Sequence, residues 1–270
     1  MFSINRVAVV VRKDLLTIKN DKTTVVTICI FPLIFCVVFP LILLIGGADN
    51  VLTSSLSGLT EFTRHLSINI VPSNLARGSE SLYAVLMYFF IPLFLLIPIM
   101  ISNVIASSSF VGEKENKTME GLLYTPLTNA ELVMGKILAS AIPTIIITWL
   151  SMMIYGLVID TIGANVFNQI VFPNLNWILV MFVLDPIIIF LSIALVVFVS
   201  QRVKTSKSAQ SVAIILILPI LGGVISQAGG AFLFGPVVVL VVSVLLLILD
   251  LASFLVISKY FNREKYLLNI

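Results

Sequence analysis

Residues able to do chemistry are few in this sequence and unevenly placed. Asp185 and Asp250 sit inside long apolar runs, where a carboxylate serves either as a cation or proton relay or as a hydrogen-bonded structural acid. Asn103, with Ser102, Ser107, Ser108 and Ser109 nearby, makes one end of another apolar run polar on several sides. Such groups either bond neighbouring helices or line a path for a solute. The single histidine, His65, has no Cys, Asp or His neighbour at metal-ligand spacing, so it reads as a solvated side chain and no metal site is expected. Cys29 and Cys36 share one apolar run and lie about 10 Å apart along a helix, too far for a disulfide. The densest charge falls between Gly112 and Leu138, GEKENKTMEGLLYTPLTNAELVMGKIL, where Glu113, Glu115, Glu120 and Glu131 face Lys114, Lys117 and Lys136. No catalytic set can be assembled from these groups, and no phosphate-cradling G-x-x-x-x-G-K-[ST] loop is present.

The elements that hold these residues are membrane helices. Of 270 residues 59% are apolar and only 11% charged, and the mean hydropathy is +1.15. A soluble domain carries roughly twice that charge. Disorder, a disulfide scaffold and a nucleic-acid partner are excluded together. Crossing the hydrocarbon core takes about 20 mostly apolar residues. Six segments meet this: Thr23 to Ile45, Tyr83 to Ser107, Ile137 to Ile159, Trp177 to Val199, Val212 into the glycines near Gly222, and Val237 to Ser258. The fold class is therefore all-α and polytopic, with a six-span domain over 23–270 preceded by a separate N-terminal segment, 1–22. That segment is too charged for a signal peptide.

Basic residues orient the spans. Arg6, Arg12, Lys13, Lys19 and Lys22 precede the first; Lys114, Lys117 and Lys136 join the second to the third; Arg202, Lys204 and Lys207 join the fourth to the fifth; Lys259, Arg263 and Lys265 follow the sixth. These are 14 of the 16 basic residues, all on one side, which the positive-inside rule makes cytoplasmic. Both termini and the tail 259–270 fall on that side. Arg64 and Arg77 are left in the external loop, 46–82.

Local patterns fill in the connections. Ile4, Val7, Val11, Leu15 and Ile18 recur at helical spacing with Arg6, Arg12, Lys13 and Lys19 off that face, which predicts a basic amphipathic helix in the inner interface. Leu52, Leu56, Leu59, Phe62, Leu66 and Ile70 predict a surface helix outside. GGVISQAGGAFLFGP, from Gly222 to Pro236, reads either as a broken helical turn dipping into the outer leaflet or as a tight external turn. In the charged connection, 112–136, Thr128 followed by Glu131 has the form of a capping box. That starts a helix at Asn129 and leaves two short helices joined by a bend at Thr125 and Pro126, an element shaped to be gripped by a cytosolic partner.

This connection resembles that of the permease subunits of type-two ATP-binding-cassette (ABC) exporters, which reads E-K-E-x-G-T-x-E-x-L-L-x-T-P followed by a helix with a Glu and a Gly-Lys pair. Glu113, Lys114, Glu115, Thr118, Glu120, Leu122, Leu123, Thr125, Pro126, Glu131, Gly135 and Lys136 match in order; Lys117 stands where glycine is usual. RKDLL from Arg12 to Leu16, Pro32 in the first span and FNREK from Phe261 to Lys265 extend the likeness along the chain, less specifically. The resemblance implies a prokaryotic, multi-pass cell-membrane permease whose loop forms a coupling helix seated in an ABC ATPase. Two copies of that ATPase subunit would bind ATP and Mg, so no cofactor is expected on this chain and it is not itself an enzyme. It also implies a second permease chain, identical or sister, around a two-fold axis.

The spans are overwhelmingly Val, Ile, Leu, Phe and Met, which suits an amphipathic or hydrophobic substrate such as an antimicrobial or toxin peptide or a lipophilic drug. A sodium exporter of the same family, in which Asp185 and Asp250 would carry more weight, and a channel or sensor without an ATPase are the alternatives. Asn103, Asp185 and Asp250 are the candidates for lining a translocation path.

Overall fold

The computed structural model describes residues 3–47, 72, 75, 79–116, 127–231 and 233–260. Helix α1 spans Ile4–Asn20. Six helices long and apolar enough to cross a membrane follow: α2 Lys22–Ile45, α3 Glu80–Glu115, α4 Ala130–Ile162, α5 Leu175–Ser200, α6 Ser206–Ala228 and α7 Pro236–Leu255. The expected external helix over 52–70, with Arg64 and His65, lies outside the described residues, as do Arg77, the FNREK tail and, in the charged connection, Thr118, Glu120, Leu122, Leu123, Thr125 and Pro126.

Several helices run beyond the apolar segments that announce them, and polar side chains cap some of their ends. At the start of α4 the Thr128 hydroxyl accepts from Glu131 N (3.2 Å) while the Glu131 carboxylate accepts from Thr128 N (2.8 Å), the reciprocal cap expected from the spacing. Asp21 separates α1 from α2 and caps α2, accepting from Thr23 N at 3.0 Å. Hydrogen bonds from the Thr23 and Thr24 hydroxyls hold its carboxyl below the usual carboxylate range. Gly222 and Gly223 do not break α6, which continues to Ala228. The chain turns just after it: Gly230 takes φ 71°, and Ala231 N donates to Ser226 O at 2.9 Å, a helix ending that glycine accommodates without a Cβ clash. The connection to α7 is thus short.

Among the described residues three spans contain a π-helical turn: Ile34–Val38 in α2, Val85–Phe89 in α3 and Val180–Leu184 in α5. Each adds a residue to the turn and rotates the following face. Cys29 and Cys36 would otherwise share one side of α2, yet Cys29 is exposed and Cys36 buried, and both are free thiols.

Buried along most of its length, α3 is the centre of the bundle and packs against α4, α5 and α6, while α7 lies on α5 and leaves most of its surface open. Tyr155 of α4 stacks on Trp177 of α5 with centroids 4.8 Å apart, and Phe94 of α3 meets the Trp177 ring edge-on at 5.1 Å. Helix α1 packs along the start of α4. Its buried line is Val7, Val10 and Asp14. The apolar residues Val11, Leu15 and Ile18 are only half-buried and Ile4 is exposed, so the face expected from periodicity is turned by about one position toward the bundle.

Candidate functional site

At the basic end of the bundle the described charged residues of the 112–136 connection, Glu115 apart, are turned inward. Glu113 is 8% exposed and Lys136 2%. The Glu113 carboxylate accepts from Lys136 Nζ at 2.6 Å and, on its other oxygen, from Lys13 Nζ of α1. Lys13 also lies 3.4 Å from Asp14, and buried Asp14 accepts from the Ser109 hydroxyl. Lys136 donates to Ser109 O and sits 5.5 Å from the centroid of the Phe110 ring. Two ammoniums and two carboxylates thus neutralise one another where α1, α3 and α4 meet. Burial alone would lower the pKa of Lys13, but the Glu113 hydrogen bond and the charges of Glu113 and Asp14 outweigh it and hold the ammonium above its usual range.

Neighbouring residues extend the network to the rest of the bundle. Lys114 donates to Ser200 O at the end of α5 (2.9 Å), and Glu115 accepts from Ser206 N, the first residue of α6 (2.9 Å). A carboxylate at that N-terminus also meets the positive end of the helix dipole. Beyond 117–126, Glu131 is buried, accepts from Ser3 N at 2.7 Å and lies 3.8 Å from the Arg6 guanidinium. Both ends of the 117–126 segment are therefore tied to α1, and through Lys114 and Glu115 the first end is tied to α5 and α6. Sequence reasoning picked out Glu113, Lys114, Glu115 and Glu131 as one motif and Ser109 as one of several polar residues able to bond neighbouring helices; it missed the pairing of Ser109 with Asp14, which it had noted only as part of RKDLL.

The candidates for a path are not gathered in one place. Asn103 is buried, donates from Nδ2 to Gln210 O of α6 (3.1 Å) and accepts from the Ser107 hydroxyl (3.1 Å), which bonds α3 to α6. Asp185 is fully buried at the end of the α5 π-turn, and neither carboxylate oxygen has a hydrogen-bond partner among the described residues. Asp250 is half-buried on α7. No hydrogen bond or ion pair joins any two of the three among the described residues. Nor is there, among those residues, a group of His, Cys, Asp or Glu arranged to hold a metal.

A feature missed in the sequence involves both tryptophans. In a π-turn the carbonyl of residue i is met by the N–H of residue i+5, as Asp185 N–H meets Val180 O. The next carbonyl, Met181 O, would face residue 186, which is proline and has no N–H. The indole of Trp149 supplies the donor instead, at 2.9 Å. The same substitution occurs in α3, where Pro92 stands five residues after Met87 and Trp177 Nε1 donates to Met87 O at 3.1 Å. Tyr155 hydroxyl donates to Leu86 O in the same turn, at 2.7 Å. In hydrocarbon an unmet carbonyl is costly, so Trp149→Phe is expected to destabilise the chain by about 1–3 kcal/mol, read as a lower thermal midpoint in detergent. Adding Pro186→Ala restores a backbone N–H and should recover part of the loss. A double variant less stable than Trp149→Phe alone would contradict this account.

Six helices long and apolar enough to cross a membrane define, among the described residues, a polytopic membrane protein. The family model described as "ABC-2 family transporter protein" matches residues 8–264, and the chain belongs to that family, whose membrane part is a non-catalytic permease. Permeases of this family typically pair with ATPase subunits and a sister permease. No curated protein and no solved structure matches the chain.

Proposed function

We propose that this chain is the permease subunit of an ABC exporter that moves an amphipathic or hydrophobic solute, such as a peptide or lipophilic drug, out of the cell by alternating access. ATP is hydrolysed on two separate nucleotide-binding subunits, and a second permease chain completes the path. The basic end of the bundle, with both termini, faces the cytoplasm. The interval 112–136 is the coupling element, and what supports this reading most is the way it is held. Glu113, Lys114 and Glu115 at one end, and Glu131 at the other, fix it to α1, α3, α4, α5 and α6. A push on such a loop is delivered to several spans at once. In this scheme Thr118, Glu120, Leu122, Leu123, Thr125 and Pro126 meet the ATPase, while Glu113, Lys114 and Glu131 anchor the loop.

Asn103, Asp185 and Asp250 remain the residues assigned to the path. Burial of Asp185 without a hydrogen-bond partner among the described residues favours a role for its carboxyl in proton or cation coupling, which is the sodium-exporting variant of the same scheme. The substrate class rests on the apolar surfaces that α6 and α7 leave open, among them Ile214, Leu218, Val244 and Ile248.

Co-expression of the chain with its nucleotide-binding subunit tests the proposal. Glu120→Arg is expected to reduce capture of that subunit about tenfold or more and to abolish export, with membrane insertion unchanged. Recovery of the wild-type chain with no ATP-binding subunit, or full export by Glu120→Arg, would sink the assignment.

A further inference from the structure

Between α1 and α4 lies an open groove of about 470 Å³. Val7, Val11 and Leu15 of α1 and Leu138 and Ile142 of α4 form its apolar walls, and Arg12 and Lys19 line it as well. Both basic side chains are exposed, and neither makes an ion pair or hydrogen bond among the described residues. Lys13, between them in sequence, is committed to Glu113. Arg12 and Lys19 are two helical turns apart, so they stand on the same flank of α1 about 10 Å from one another. On α4 the groove continues into an exposed apolar stripe, Ile142, Ile146, Leu150, Met153 and Leu157, spaced by three or four residues and directed away from the basic end. An apolar trough that opens onto a membrane-facing stripe, with two exposed cations on its lining, has the chemistry of a phospholipid: acyl chain along α4, phosphate at Arg12 and Lys19.

We propose that this groove binds an anionic phospholipid of the inner leaflet, its acyl chain against Val11, Leu15, Leu138 and Ile142 and its phosphate held by Arg12 and Lys19. The choice of leaflet rests on the orientation proposed above; the site itself does not. Charge selects the occupant. A zwitterionic headgroup gains little from two uncompensated cations, whereas each basic group near an anionic lipid surface contributes about 1 kcal/mol. A bound lipid would also wedge α1 against α4, next to the Glu113 network, and so stiffen the support of the coupling element.

The test uses the full chain purified without any ATPase subunit, equilibrated with equimolar phosphatidylglycerol and phosphatidylcholine of matched acyl chains. Lipid retained after detergent exchange is counted by native mass spectrometry. Retained lipid is expected to favour phosphatidylglycerol about tenfold or more. Arg12→Ala with Lys19→Ala should bring the ratio close to one while neutral lipid is still retained. Lys22→Ala, which removes a basic residue outside the groove, should leave the preference intact. Val11→Trp with Leu15→Trp, which fills the trough, should lower retention of both lipids. Equal retention of the two lipids by the wild-type chain, or an equal loss of preference in Lys22→Ala, would overturn the proposal, the latter by showing diffuse attraction. Because the readout needs no partner, failure to capture an ATPase subunit would not mimic either result.

Discussion

Glu113→Gln is expected to lower the thermal midpoint of the detergent-purified chain by about 10 °C, corresponding to roughly 3–5 kcal/mol. Glutamine keeps the shape but removes the charge on which Lys13 and Lys136 converge. Lys13 is 46% exposed and can turn to water or to Asp14. Lys136 is 2% exposed, and its remaining neighbours, the Ser109 carbonyl and the Phe110 ring, carry no negative charge. An ammonium left there without a counterion loses hydration with no Coulombic return, which is why breaking a buried pair costs far more than the pair was worth.

Glu113→Gln with Lys136→Met should therefore be much closer to wild type than Glu113→Gln alone, since an apolar chain of similar length removes the stranded charge. Lys13 sets the pH dependence in a simple way. Its pKa is raised, so its stabilisation is fully present below the ordinary lysine value and is lost only as pH rises through the higher folded value. The deficit of Glu113→Gln should be flat across the neutral range on its account. An unaltered midpoint in Glu113→Gln, with export lost, would instead make Glu113 an exposed contact for the ATPase.

Six spans and the cap at Thr128 were legible because hydrophobic length and a reciprocal side-chain cap are local properties of sequence. The π-turns were not. A turn that admits one more residue leaves no periodicity of its own over five residues, and the consequence for Cys29 and Cys36 is visible only once the helix is built. Pro92 and Pro186 were readable as missing donors, but which carbonyl each would leave unmet depended on the π register, and the tryptophans that replace them come from other spans. The charged connection was legible as a unit through its resemblance and misleading in one respect: a run of Glu and Lys normally reads as a solvated surface, whereas Glu113, Lys114, Glu131 and Lys136 are buried, the first, third and fourth because opposite charges from other helices meet them and Lys114 because the Ser200 carbonyl does. The inner face of α1 was off by one position for a related reason. Periodicity counts apolar residues, and Asp14 belongs to the buried line only because Ser109 meets it there.

Gly135→Ala puts the contact between α1 and the proposed coupling element under direct strain. A Cβ on Gly135 would stand 2.7 Å from both Cβ and Cγ1 of Val10, and 3.4 Å from the Val7 carbonyl. Alanine within a helix gains up to about 1 kcal/mol over glycine, but an overpacked contact costs about 1–3 kcal/mol. The steric term wins here, because Val10 is β-branched and fixed at χ1 in its helix and its Cβ moves only if α1 moves. Displacing α1 also pulls Ser3 N and Lys13 from Glu131 and Glu113.

Gly135→Ala should therefore lower the thermal midpoint and weaken export even though every residue of 117–126 is intact, and Gly135→Val should do so more severely. Rescue should be graded: Val10→Ala removes the Cγ1 contact and leaves the Cβ contact, giving partial recovery, while Val10→Gly clears both at the expense of helix propensity in α1. Capture of the nucleotide-binding subunit supplies the second readout. If Gly135→Ala still captures that subunit but its ATP hydrolysis no longer drives export, the defect lies in transmission through α1 and α4. Should Gly135→Ala match wild type in both midpoint and export, the close packing of α1 on α4 is not what supports the proposed coupling element.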